Sequence, residues 1–396
     1  MSAVVLAPYA VLIVPTAVVN DNPETGFILR VLALALAGTL TLETFALLAA
    51  RPSPGWPQAL RRANSRSPHI YLIARLVTVV SIVADLAGAY AGRGTIVSQL
   101  ASEGSSSSLA SLTSLVVGWK FLAFGLLLAS FLGGRTGRRG VYAWTLALVG
   151  AQIAVASFTA ILAPMLGYLF FVASVGALCG LFRARLLVVV AVVLFLAWPT
   201  MFALRNDLRE NRGVAVAQES TATERLRVDI QLAQVAAVDV PVDLHQPKLA
   251  EYARYGLLPR LVDPDRPPIT TGSDINQYLG GGANSSYNFL ALGNIYFFSG
   301  PVGVVVFHAC WSLVALVLLR WRRAPGPARL SVLCFAMGGP LLWSSTYPDT
   351  MIAFIQYTVS ALPVFAMLFA TRSAKEPDAR QRRHLDPSRM PAWPAR

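Results

Sequence analysis

Residues 205–300 hold side chains able to grip an anion or move a proton. The cations are Arg205, Arg209, Arg212, Arg225, Arg227, Lys248, Arg254, Arg260 and Arg266. The carboxylates are Asp207, Glu210, Glu219, Glu224, Asp229, Asp239, Asp243, Glu251, Asp263, Asp265 and Asp274. Arginine stays charged at any physiological pH, and its planar fork bonds phosphate or carboxylate through two parallel N–H groups. Each arginine therefore has two readings, a grip on an anionic ligand or an ion pair with a neighbouring acid. A general base needs a carboxylate or an imidazole. His245 is the sole histidine of this stretch, within Asp239-Val-Pro-Val-Asp243-Leu-His245, and Asp239, Asp243 and Asp274 are equal contenders. A lone exposed histidine also fits an incidental surface residue.

Local patterning says how these side chains are held. Thr221-Ala-Thr-Glu224 fits a capping box. Leu226, Ile230, Ala233 and Ala237 then recur on one helical face, and the helix should end before Pro241. Arg225 and Asp229 stand four residues apart and can pair. Arg227 then faces no acid except Glu224, so it is the arginine on this helix most available to a ligand. A second short helix is expected over 248–256. Leu258-Pro259-Arg260 and Asp263-Pro264-Asp265-Arg266-Pro267-Pro268 read as rigid turns, and 280–282 as a glycine joint. Residues 287–298 read as an interfacial or re-entrant helix with Tyr287, Tyr296, Phe297 and Phe298 at headgroup level.

The rest of the chain is apolar. Of 396 residues, 55% are hydrophobic and 13% charged, too little polar surface for a soluble chain of this length. The apolar residues fall into runs long enough to cross a bilayer, which takes about 20 residues at 1.5 Å rise. Ten spans are expected, over 3–19, 28–50, 69–92, 110–133, 141–161, 162–182, 186–204, 301–319, 328–345 and 350–371. The fifth and sixth are separated by no charge, only by Pro164. The chain thus divides into spans one to seven (1–204), a large loop (205–300), spans eight to ten (301–371) and a basic tail (372–396). The expected fold is an all-α polytopic membrane protein with its loop between the seventh and eighth helices.

Basic residues follow every even-numbered span. Arg51, Arg61, Arg62 and Arg66 follow the second, Arg135, Arg138 and Arg139 the fourth, Arg183 and Arg185 the sixth, Arg320, Arg322, Arg323 and Arg329 the eighth. The tail adds seven more, among them Arg382 and Arg383. Odd-numbered exits are acidic or nearly neutral, with Asp21 and Glu24, Arg93 beside Glu103, and Asp349. Lysine and arginine gather on the cytoplasmic side, so both termini are expected there and the large loop outside. The net charge of +13 is then a topology signal, and the tail reads as solvated chain beside anionic lipid, with no nucleic-acid partner. Met1-Ser2-Ala3 lacks a positive stretch, so no cleavable signal peptide is expected. Cys179, Cys310 and Cys334 all fall inside spans, and no Cys/His spacing suggests a metal.

Glu43, Arg75, Asp85 and Lys120 lie deep within spans, where each is costly without a partner. Glu43 and Arg75 match in depth, as do Asp85 and Lys120. Two pairs tying the third span to the second and fourth are expected, with a proton relay as the alternative and snorkelling open to Arg75.

The loop resembles that of bacterial O-antigen and capsular repeat-unit polymerases. The resemblance rests on Arg227, Pro241, Leu258-Pro259-Arg260, Pro264-Asp265-Arg266-Pro267, Ser285, Ser286 and Gly293-Asn294-Ile295-Tyr296, with Gly300 and Gly303 leading into the next span. Asn294 stands where that family often has an acid, and Arg266-Pro267 where it often has Lys-Pro. The resemblance implies a GT-C-like glycosyltransferase in the bacterial plasma membrane. It would move a growing glycan from one undecaprenyl diphosphate onto the sugar of another, without a cofactor. Arg227, Arg260 and Arg266 would meet the diphosphate, with Arg225, Arg254, Asp274 and Tyr296 as further substrate contacts. His245, Asp239 or Asp243 would serve as base. A chain-length regulator and a flippase are the implied protein partners. Asp263-Pro-Asp265 has the form of the metal-holding Asp-x-Asp of nucleotide-sugar transferases. Its proline suggests a turn and it faces outside, away from nucleotide sugars, so no metal is expected. An O-antigen ligase, or a flippase of lipid-linked sugars, is the alternative.

Overall fold

The computed structural model describes residues 6, 9–49, 69–94, 108–211, 227–244, 249–258, 262–263, 271–281, 287–319, 327–338 and 349–370. Among them every regular element is helical. A π-helical turn, Tyr9–Ile13, leads into α1 (Val14–Val19). Then follow α2 (Thr25–Ala49), α3 (Ile70–Tyr90), α4 (Ser108–Ser114), α5 (Trp119–Leu132), α6 (Arg138–Thr159), α7 (Ala163–Leu178) and α8 (Ala184–Glu210). The loop contributes α9 (Val228–Ala233), a 3₁₀ turn (Gln234–Ala237), α10 (Leu249–Leu257) and α11 (Thr271–Tyr278). The last described elements are α12 (Leu290–Leu319), α13 (Pro327–Gly338) and α14 (Asp349–Ala370).

Six stretches are long and apolar enough to cross a membrane: Thr25–Phe45, Ile70–Tyr90, Ser108–Leu132, Arg138–Thr159, Leu290–Val317 and Thr350–Leu368. The chain is a helical membrane protein. Of the ten expected spans, the others correspond to the short apolar helix Tyr9–Val19, to α7 with 16 residues, to α8 with 27 and to α13 with 12. Residues 339–345 of the ninth lie outside the described residues. The fifth and sixth spans do divide. Ala160 takes a left-handed conformation (φ 56°) that ends α6, and Pro164 sits in the first turn of α7, where its missing N–H costs nothing.

Two differences concern the bundle's interior. The expected eighth span begins at Pro301, whereas α12 begins at Leu290 and bends at Gly300 (φ 64°, ψ −169°). Proline removes a helical hydrogen bond and glycine tolerates that backbone, so the pair makes a kink within one long element. The expected Asp85–Lys120 pair is also corrected. Lys120 Nζ donates to Gln152 Oε1 at 2.7 Å, Gln152 Nε2 donates to Asp85 Oδ2 at 2.8 Å, and Arg93 Nη2 donates to Asp85 Oδ1 at 3.0 Å. Gln152 of α6 therefore bridges the two charges, and Arg93 folds back from beyond α3 to complete the chain. Arg75 lies on the exposed side of α3, its guanidinium 5.6 Å from the Trp144 ring and 5.9 Å from that of Tyr71, instead of turning to Glu43.

Packing is closest between α2 and α12. Gly38 lies against the α12 backbone, and a Cβ there would stand 2.5 Å from the Val305 carbonyl oxygen. Trp119 Nε1 donates to Ser360 Oγ at 3.1 Å and joins α5 to α14.

Candidate functional site

The loop folds down onto one end of the bundle. Val228, Leu232 and Val235 recur at helical spacing and are all buried. They seat α9 and the 3₁₀ turn against α1, α2 and α12. Gly293 permits this approach, because a Cβ there would meet Leu232 Cδ1 at 3.0 Å. Val242 N–H donates to the Phe297 carbonyl at 2.9 Å, and Tyr287 N–H to that of Gly272 at 2.8 Å. On the other side α10 docks on α14, where Gly256 faces Ile355 and Gln356 Nε2 donates to the Tyr255 carbonyl at 2.6 Å.

A charged clamp sits at the junction. Arg227 stands at the N-terminal boundary of α9 with non-helical backbone (φ −74°, ψ 58°). Its Nε and Nη2 donate to the two oxygens of Asp229, each at 3.0 Å. Asp229 is fully buried, and Asn22 Nδ2, from the turn between α1 and α2, donates to its Oδ2 at 2.7 Å. Burial alone would raise the Asp229 carboxyl, but the bonds from Arg227 and Asn22 outweigh it and hold the group below the usual carboxylate range. The Asp229 hydrogen bond in turn pushes the guanidinium of Arg227 up. Arg227 keeps 29% of its side chain exposed, and among the described residues its Nη1 has no partner. The arrangement holds one guanidinium edge from below and presents the other outward.

These contacts correct the sequence reading of the loop helix. The sequence places Arg227 on the helix with Glu224 as the one acid in reach; in the structure it lies at the boundary and grips Asp229 two residues on. Of the expected Leu226, Ile230, Ala233, Ala237 face, Ala233 is buried, Ile230 and Ala237 are exposed, and Leu226 lies outside the described residues; the buried face runs through Val228, Leu232 and Val235. Thr221, Glu224 and Arg225, with the expected cap and the Arg225–Asp229 pair, lie outside the described residues, as do His245, Arg260, Asp265 and Arg266. Arg254 is exposed on α10 and donates through Nε and Nη2 to Asp263 at 2.8 and 2.7 Å. Asp239 and Asp243 are exposed on either side of Pro241, and Asp274 is half-buried in the first turn of α11. Among the described residues Arg227, Asp239, Asp243 and Arg254 make no bond with one another.

The aromatic stretch is also corrected. Tyr296, Phe297 and Phe298 are buried inside the protein, not laid at a headgroup surface. Tyr296 packs edge-on against Phe27 of α2 at 5.2 Å, and Phe297 against Tyr278 of α11 at 5.6 Å. Asn294 is fully buried, where its Nδ2 donates to Asn288 Oδ1 and its Oδ1 accepts from the Phe289 N–H. The amide at this position braces the start of α12, next to Leu292, whose N–H donates to Tyr9 Oη at 3.0 Å.

Sequence reasoning missed Asn22, Gln152 and the helix α11. Asn22 lies in Asn20-Asp21-Asn22-Pro23, a turn sequence whose amide could have been read as a brace. Compared with models of known families, with curated proteins and with solved structures, the chain matches none.

Proposed function

We propose that this protein polymerises oligosaccharide repeat units carried on undecaprenyl diphosphate, at the outer face of a bacterial plasma membrane. In this reading the chain has ten spans of GT-C-like arrangement, cytoplasmic termini and the loop of 205–300 outside. The observation that carries it is the Arg227–Asp229–Asn22 clamp. It adds to the motif resemblance a cation braced at the junction of loop and membrane helices, where the diphosphate of a lipid-linked glycan would lie.

The reaction joins an acceptor sugar hydroxyl to the anomeric carbon of the donor. The new C–O bond forms as the bond from that carbon to the phosphate oxygen breaks, and the diphosphate leaves with the electron pair. The hydroxyl proton passes to a base, for which His245, Asp239, Asp243 and Asp274 are the candidates. Arg227, Arg260 and Arg266 meet the charge that develops on the leaving diphosphate. A donor held in place before the reaction favours the transition state over the ground state. Asp229 supplies that for Arg227, and Pro259 and Pro267 restrict the chain next to Arg260 and Arg266. Arg225 and Arg254 are further contacts, and Arg254 would have to exchange Asp263 for a ligand.

The test expresses Arg→Ala and Arg→Lys variants at 227, 260 and 266, measures each in membranes and scores glycan chain length. Loss of one such donor commonly costs on the order of a hundredfold in rate. Lysine should rescue in part, being a point charge without the fork. Abundant Ala variants that all make full-length glycan would assign these arginines to structure alone.

A further inference from the structure

A second site lies away from the loop clamp, between the ends of α6, α7 and α8. A cavity of about 110 Å³ opens there, walled by Ile153, Ala156, Met165, Met201 and Leu208, and among the described residues Arg205 is the one charged side chain that lines it. The wall is otherwise almost wholly apolar. Ala160, in its left-handed conformation, lets the chain turn away and leaves the floor open.

Charge is segregated around α8 at this level. Arg205 and Arg209 stand one helical turn apart on the half-buried side, while Asp207 and Glu210 are exposed on other faces. The Arg205 guanidinium lies 4.2 Å from the Phe202 ring centroid and bonds Asn206 Oδ1, and Arg209 Nε donates to the Ala160 carbonyl at 3.2 Å. Both cations are thus drawn over the mouth of an apolar cavity. Exposed Val188, Val192 and Leu196 form a stripe along α8 that leads towards it. A helix face of this kind, apolar along its length and cationic at its end, matches a lipid with an anionic head.

We infer that this groove seats one acyl chain of an anionic phospholipid, with the lipid phosphate resting on Arg205 and Arg209. The apolar wall takes the chain and the guanidinium groups take the phosphate, for which Arg205 exchanges its bonds to Asn206 and Arg209 its bond to the Ala160 carbonyl. Arg205 and Arg209 open the segment 205–300, but the site takes no residue of the Arg227–Asp229–Asn22 clamp.

The test is native mass spectrometry of the full chain released from nanodiscs of mixed phosphatidylglycerol and phosphatidylcholine with identical acyl chains. One phosphatidylglycerol should be retained per chain, in preference to phosphatidylcholine by at least about tenfold, the scale of one charge-assisted hydrogen bond. The Arg205→Gln, Arg209→Gln double variant should lose the preference, and the two lysine replacements should keep part of it. Ala156→Phe, which fills the groove and leaves the charges, should lower retention of both lipids. Thermal unfolding of each variant identifies any that fail to fold, and Ala156→Phe and the lysine variants then carry the test. Equal retention of the two lipids, or a preference unchanged in the double variant, would overturn the proposal. So would displacement by millimolar inorganic phosphate, which marks a free-anion site, or stronger retention of polyprenyl diphosphate than of phosphatidylglycerol.

Discussion

Asp229 has no solvent contact, yet it carries a charge, and two donors make that tolerable. Removing one partner from a buried ion pair costs about 3–5 kcal/mol, whereas an exposed pair is worth about 0–1 kcal/mol. Arg227→Ala, which leaves the buried Asp229 carboxylate without its counter-ion, should therefore lower the thermal midpoint of the purified protein strongly, and Asn22→Leu should do so in the same direction. Asp263→Ala, which releases the exposed Arg254, should change it little. A similar loss in both would mean that Asp229 is not the buried anchor. The clamp also predicts a pH dependence. The folded Asp229 carboxyl lies below its unfolded value of about 3.9, so its stabilisation is present above that pH and is lost as pH falls through the lower, folded value. The stability difference between wild type and Asp229→Asn should stay constant from pH 7 to about pH 5 and shrink below about pH 4. A difference that shrinks already between pH 7 and 6 would point to another group. Little of this was legible in the sequence. Helical spacing assigns Asp229 to Arg225, and a partner two residues away becomes possible only because Arg227 leaves helical geometry.

At the scale of elements, the α3–α5–α6 contact is held by a polar chain in which a neutral amide is central. Gln152 offers an acceptor to Lys120 and a donor to Asp85, so losing it strands the buried Lys120 and leaves Asp85 with Arg93 alone. Gln152→Leu should reduce the amount of folded protein in membranes, while Gln152→Glu should retain the bond to Lys120 but face Asp85 with a second carboxylate. The charge swap Asp85→Lys with Lys120→Asp should not rescue, because the new lysine would face Arg93. Rescue to wild-type abundance would argue for direct pairing. A search of the spans for charges finds Asp85 and Lys120 and their matched depth, but passes over an amide that carries no charge. Helix α11 was hidden for a related reason: Thr271-Gly-Ser-Asp-Ile-Asn-Gln-Tyr278 has too few apolar residues for a period to emerge. The break between α6 and α7 was legible, because proline in a first turn marks a helix start. Close approach of helices predicts one more outcome. Gly38→Leu should force α2 from α12 and cost about 1–3 kcal/mol or more, measurable as a lowered thermal midpoint against an unchanged Gly26→Ala, where a Cβ meets nothing.

For the molecule as a whole, the apolar runs declare a membrane protein because a bilayer sets a minimum length that a soluble core does not require. The position of the loop is also legible, since 205–300 contains no run able to cross. How the loop seats was not, because residues 290–299 are apolar enough to lie in lipid and are instead covered by α9 and α11. The proposed orientation rests on arginine placement, and reporter fusions after Arg139 and after Gly282 should report opposite sides; the same side for both would overturn the topology. The central claim is that the loop joins repeat units on their lipid carrier. Its most direct test is gel analysis of surface glycan from cells lacking this protein, with the gene restored as control. The account predicts that the ladder of long chains disappears while single repeats remain attached at the surface. An unchanged ladder would contradict it, as would loss of all attached repeats, the result expected of a ligase.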